Sequence, residues 1–128
     1  MAPASKRMCA SSAARSLSAA AAGAQLVNLT GAPLLIQIGT EDDYDNGAQH
    51  CQTLAQQVAS TGPVDVEVYQ GAYHGWDRLQ VPITAQDPYA DEGSIFRTGV
   101  APAVKIVPDV EQAYRSRNKV TRFFFRHL

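Results

Sequence analysis

The stretch Pro33-Leu34-Leu35-Ile36-Gln37-Ile38-Gly39-Thr40-Glu41-Asp42-Asp43 decides the fold. Leu34 to Ile38 is a short, nearly continuous apolar run, which suits a strand buried on both faces within a parallel sheet. Gly39 ends the run, and Thr40 to Gly47 reads as an acidic, turn-forming loop. A helix is expected next, with Asp45 or Asn46 as its N-cap. Its apolar positions Cys51, Leu54, Ala55 and Val58 recur at helical spacing. Gly62 and Pro63 stop it. Val64-Asp65-Val66-Glu67-Val68-Tyr69 then alternates with period two, which predicts a strand with one buried face near a sheet edge.

Strand, helix and strand make one β-α-β unit. Such units connect through a right-handed crossover in nearly all cases, so both strands end at the same edge of the sheet. In open α/β sheets that carboxyl edge is where ligands bind. The loop after the first strand carries Asp42. The loop after the second, Gln70-Gly71-Ala72-Tyr73-His74-Gly75-Trp76-Asp77, carries His74. Chemistry has a use for that pair. A histidine titrating near neutrality can move a proton between a nucleophile and a leaving group. A buried carboxylate on its other nitrogen fixes the tautomer and stabilises the imidazolium. In α/β-hydrolases the chain order is nucleophile, acid, histidine, and here the acid precedes the histidine.

The two stretches "PLLIQIGTEDD" and "VDVEVYQGAYHGWDR", together with the closing "VTRFFFRHL", resemble the dienelactone hydrolase family over residues 31 to 128. In that family a strand ends in glycine, the triad aspartate stands three residues later, and the histidine occupies a Gly-Ala-x-His loop. Asp42 stands three after Gly39, and His74 closes Gly71-Ala72-Tyr73-His74. The resemblance implies an α/β chain forming the C-terminal part of an α/β-hydrolase fold, with parallel strands and a closing helix. It implies hydrolysis of a small ester or lactone, with Asp42 and His74 as catalytic residues and no cofactor. Tyr73 and Trp76 flank the histidine, where they line an acyl pocket or simply pack.

One part of the family pattern is missing. The nucleophile belongs on a strand-turn-helix elbow of the form G-x-[SC]-x-G, upstream of the acid, and no such pattern occurs in this chain. Cys9 has no preceding strand and no flanking glycines. Cys51 fits the apolar face of a helix, where cysteine is normally a small buried hydrophobe. The expectation is therefore a chain that supplies acid and histidine but no nucleophile, and is inactive alone. Its counterpart would be a missing N-terminal half or a second copy. The alternative is an inactive truncated fragment, or a non-enzymatic interaction module whose open strand edge invites association.

The remaining signals are weaker. Glu41, Asp42, Asp43 and Asp45 are dense carboxylates, but they fail the spacing of a calcium loop, and His50 adds no zinc spacing, so no metal is expected. Asp43 and Asp45 read as turn or capping residues, His50 as a wet-face helix residue, and His127 as part of a fraying terminus. Pro82, Pro88 and Pro102 break any long element between residues 79 and 107. Thr98-Gly99 is a candidate turn of a short hairpin with Ala103 to Val107 as one arm. After Pro108 a helix is expected, capped by Asp109 with Gln112 as a capping-box partner. Its apolar stripe reads Val110, Ala113, Tyr114, Val120 and Phe124, while Arg115, Arg117, Lys119, Arg122 and Arg126 form a solvated face that favours the helix dipole. Residues 1–30 form a separate Ala/Ser-rich segment with Lys6, Arg7 and Arg15 and no acid, which reads either as a poorly ordered leader or as a targeting segment. The net charge of -1 argues against a nucleic-acid partner, and the chain has no apolar run of membrane-spanning length. Two cysteines do not make a disulfide framework. The composition is that of a soluble chain of unassigned compartment, one domain at most.

Overall fold

The computed structural model describes residues 31–44, 47–88, 90 and 98–128. The Ala/Ser-rich segment 1–30 therefore lies outside the described residues, as do Asp45 and Asn46. The chain is mixed α/β. Strand β1 (Leu34–Gly39), helix α1 (Gln49–Val58) and strand β2 (Val64–Tyr69) are followed by strands β3 (Ile83–Gln86) and β4 (Ala103–Ile106) and helix α2 (Val110–His127). As expected, β1 and β2 pair in parallel, in a register that runs from Leu34 opposite Val64 to Gly39 opposite Tyr69.

This register sorts side chains onto two faces, because successive residues of a strand point to opposite sides. Ile36 and Ile38 form a core with Cys51 and Ala55 of α1, and Leu34, Leu54, Val64, Val66 and Val68 pack against it. Cys51 is fully buried, as its spacing suggested. Helix α1 also starts later than expected. Gly47 N–H closes onto the Asp42 carbonyl at 2.7 Å, so the loop turns back on itself. The N-cap is then Ala48, which makes no side-chain cap, in place of the expected Asp45 or Asn46.

The opposite face departs from the expected strand with one wet side. Asp65 and Glu67 of β2 are half-buried under α2, where Lys119 Nζ lies 3.0 Å from Glu67 and 4.0 Å from Asp65. Arg126 reaches Asp65 at 3.9 Å. The Arg115 guanidinium sits 5.8 Å from the centre of the Tyr69 ring. Lys119, Arg115 and Arg126 are thus partly engaged in covering the sheet, rather than forming a purely solvated face. Gln37, the polar member of the β1 run, is fully buried, and its Oε1 accepts from the Tyr69 hydroxyl.

Helix α2 is capped as expected, with Asp109 Oδ1 accepting from Gln112 N–H at 3.0 Å. The second half of the capping box does not form. The Gln112 side chain instead donates to the Gln70 carbonyl at 3.3 Å. The buried residues of α2 are Gln112, Ser116 and Phe123, while Val110, Tyr114 and Phe124 of the expected apolar stripe are exposed. Hydrogen bonding decides this rotation. Trp76 is 2% exposed and its indole N–H must be satisfied when buried. It donates to Ser116 Oγ at 3.1 Å, and Ser116 in turn donates to the Ala113 carbonyl.

Strands β3 and β4 form an antiparallel ribbon with Ile83 opposite Ile106 and Gln86 opposite Ala103. Ala103 to Ile106 is the arm the sequence suggested. Its partner is Ile83–Gln86, however, so Thr98 and Gly99 lie within the long connection rather than at a tight hairpin turn. Asp87 N–H donates to the Pro102 carbonyl at 3.0 Å and closes the ribbon's end, which suits Pro102 because its carbonyl is the only backbone hydrogen-bonding group it has.

Tyr69 links this packing to pH. Burial, and then the charge of Glu67, hold its phenol up at about 12 against an ordinary 10.0, with Arg115 pulling the other way. The unfolded chain gives up that proton first as pH rises. The contribution of Tyr69 is therefore complete below pH 10 and is lost as pH climbs toward 12. Urea midpoints followed across that window should fall in the native chain and fall less in Tyr69→Phe. Equal pH slopes would show that Tyr69 is not the group responsible.

Candidate active site

The site lies at the carboxyl edge of the β1–β2 pair. Three hydrogen bonds, two of them backbone to backbone, bring the two strand-end loops together. Thr40 N–H donates to the Tyr69 carbonyl, and Glu41 N–H to the Ala72 carbonyl, each at 3.0 Å. Gly71 N–H donates to Thr40 Oγ1 at 2.9 Å. Gly39 makes this possible: a Cβ built there would stand 2.1 Å from the Ala72 carbonyl oxygen. The two loops touch where only a glycine fits.

Asp42 and His74 meet across this junction. Asp42 is 1% exposed. Its Oδ2 lies 3.1 Å from His74 Nδ1, and its Oδ1 accepts from Tyr44 N–H at 3.0 Å. A carboxylate only accepts, so Nδ1 carries the proton in this pair. The His74 side chain is 15% exposed, shielded yet reachable. Both residues expected to be catalytic are therefore in hydrogen-bonding contact, in the geometry that orients an imidazole for proton transfer.

The ribbon braces the histidine loop from the other side. His74 forms a parallel bridge with Ile106, and its carbonyl accepts from Val107 N–H at 3.2 Å. Gly75 takes φ +69°, and a Cβ there would meet the Ile106 side chain at 2.8 Å. Asp43 lies in a turn, as expected, and also reaches across to β4, where both its carboxylate oxygens accept from Lys105 N–H at 3.0–3.1 Å.

The flanking aromatics separate. Trp76 takes the packing role of the two considered for it: it stacks at a tilt on Tyr69, with ring centres 5.3 Å apart. Tyr73 is half-buried, with Lys105 Nζ 5.8 Å from its ring centre. Tyr44 is a residue that the sequence reading passed over. Its ring stacks on His74 at 4.7 Å between centres and 21° between planes, and its hydroxyl donates to Asp87 Oδ2 at 2.9 Å. The available signal was an aromatic side chain two residues after the acid, in an otherwise polar loop. Nothing local to Asp87 pointed to the site. Among the described residues no group of three or more His, Cys, Asp or Glu is arranged to hold a metal ion, and no helix is long and apolar enough to cross a membrane.

The arrangement is that of a mixed α/β unit with a buried carboxylate paired to a partly exposed imidazole at its strand ends. No model of a known protein family matches the chain, and neither a curated protein nor a solved structure matches it.

Proposed function

We propose that Asp42 and His74 are the acid and histidine of an ester- or lactone-hydrolysing site of the dienelactone hydrolase type, with the chain forming the C-terminal part of an α/β-hydrolase fold. The observation that carries this reading is the 3.1 Å contact between buried Asp42 and His74 Nδ1 at the shared carboxyl edge of two parallel strands. With Nδ1–H directed to Asp42, Nε2 is the nitrogen that takes the proton from a serine or cysteine nucleophile as it attacks the carbonyl carbon. The same nitrogen returns the proton to the leaving alkoxide. An acyl-enzyme forms and is hydrolysed when His74 activates water in the same way. Asp42 orients the ring and stabilises the imidazolium. The 128 residues contain no G-x-[SC]-x-G elbow, so the nucleophile and its oxyanion donors come from residues outside them.

The test begins with the DNA upstream of the Met1 codon. Its translation is expected to encode a strand followed by G-x-[SC]-x-G. The extended polypeptide is then expected to hydrolyse a p-nitrophenyl ester, with activity abolished by His74→Ala. The 128-residue chain should show no turnover. Hydrolysis by the extended polypeptide that survives His74→Ala would sink the reading. His74-dependent turnover by the 128-residue chain would place the nucleophile inside it instead.

A further inference from the structure

We propose that Tyr44 is a positioning residue for His74, holding the imidazole in the plane in which it meets Asp42, and that Asp87 anchors Tyr44 in that role. The proposal rests on the reading of Asp42 and His74 as a working pair and adds the device that keeps the pair aligned.

An N–H···O bond does not by itself fix the plane of an imidazole, which can still turn about the bond's axis. Hydrogen bonds weaken steeply as they bend, so a ring that pivots spends time misaligned with both Asp42 and any nucleophile. A contact on the ring's face limits that motion. Tyr44 does so by stacking on it at 4.7 Å between centres and 21° between planes. A pivot of the imidazole toward that side would drive it into the phenol.

The confinement works only if Tyr44 is itself fixed, and it is held at both ends. Its backbone N–H donates to Asp42 Oδ1, on the same carboxylate whose other oxygen accepts from His74 Nδ1–H. Its hydroxyl donates to Asp87 Oδ2 at 2.9 Å. Asp87 in turn is pinned where the β3–β4 ribbon closes, by its own N–H on the Pro102 carbonyl at 3.0 Å. Asp42, Tyr44 and His74 thus form a closed set of contacts, and Asp87 ties it to the ribbon. The ribbon also grips the histidine backbone at Ile106 and Val107. The backbone and the ring of His74 are therefore both referred to the same ribbon, and placement of a proton-transfer group depends on such positioning.

The prediction is read by NMR on the 128-residue chain, which needs no nucleophile. In the native chain the His74 ring protons should be displaced upfield by the ring current of Tyr44, and the ring nitrogens should report the Nδ1–H tautomer. Tyr44→Leu, which fills space but offers no aromatic face, should abolish the upfield displacement and mix the tautomers. Tyr44→Phe and Asp87→Ala keep an aromatic ring but lose the anchor, and each should reduce the displacement with the melting temperature little changed. If Tyr44→Phe and Asp87→Ala both leave the His74 resonances and tautomer at native values, the positioning role is overturned, whether or not Tyr44→Leu folds. Asp42→Asn separates this failure from failure of the underlying reading. A tautomer change in Asp42→Asn with none in the Tyr44 and Asp87 variants sinks only the Tyr44 proposal. No change in Asp42→Asn sinks the pair itself.

Discussion

Asp42→Asn should invert the tautomer of His74 and, in the polypeptide that carries the nucleophile, lower ester hydrolysis about 10⁴-fold, as the same exchange does in serine-hydrolase triads. The inversion follows from the contacts of Asp42. Its Oδ1 accepts from Tyr44 N–H, and its Oδ2 accepts from His74 Nδ1–H. An asparagine in the same place has one oxygen and one NH₂ group. Tyr44 N–H cannot turn away, since it belongs to the backbone of a closed loop, so the asparagine oxygen stays on Tyr44. The NH₂ group then faces Nδ1, which must become an acceptor, and the ring proton moves to Nε2. Nε2 is the nitrogen that has to receive the nucleophile's proton, so the base is lost while the shape is kept. Ring-nitrogen NMR of the 128-residue variant reads the inversion, and kcat of the extended polypeptide reads its consequence. A variant that keeps the Nδ1–H tautomer would show that Asp42 does not control the histidine.

The β1–α1–β2 unit was legible because each element carries a local pattern. Leu34 to Ile38 is a run with a glycine stop, Cys51 to Val58 has helical spacing, and Val64 to Tyr69 alternates. Asp42 and His74 were legible for a related reason: each stands at a short offset from a strand's end, and parallel pairing brings those ends together. What the sequence concealed depends on contacts between distant segments. Hydrophobic spacing alone turns α2 toward Val110, Tyr114 and Phe124. The observed rotation instead satisfies the Trp76 indole through Ser116 and sets Lys119 over Glu67. Those demands arise on other elements and leave no trace in the helix's own pattern. The pairing of Ile83–Gln86 with Ala103–Ile106 was hidden likewise, because the turn signal read in the connection between them, Thr98-Gly99, points to a short local hairpin and not to a partner strand far back in the chain. Tyr44 and Asp87 meet only once that ribbon is in place, so Asp87 could not be found from its neighbours in sequence.

Gly39→Ala should cost about 3 kcal/mol or more, a large share of the roughly 5–15 kcal/mol that holds a domain of ordinary stability. The cause is a collision rather than backbone strain. A Cβ at residue 39 would lie 2.1 Å from the Ala72 oxygen and 2.7 Å from its carbonyl carbon. These are backbone atoms and cannot swing aside. The Ala72 carbonyl is also committed, because it accepts from Glu41 N–H at 3.0 Å. Relief therefore requires the loop after β2 to lift off the loop after β1, which parts Asp42 from His74. Gly71→Ala provides the comparison. Gly71 has φ +77°, but a Cβ there meets nothing within 4 Å. Its cost should be only that of a left-handed residue, about 1–2 kcal/mol. Urea unfolding of the two variants should rank Gly39→Ala as clearly the more damaging, and the Nδ1–H signal of His74 should be lost in Gly39→Ala and kept in Gly71→Ala. The reverse order would mean that close approach of the two loops is not what glycine provides at position 39. The glycine three residues before the acid would then have to be explained by something other than the meeting of Asp42 and His74.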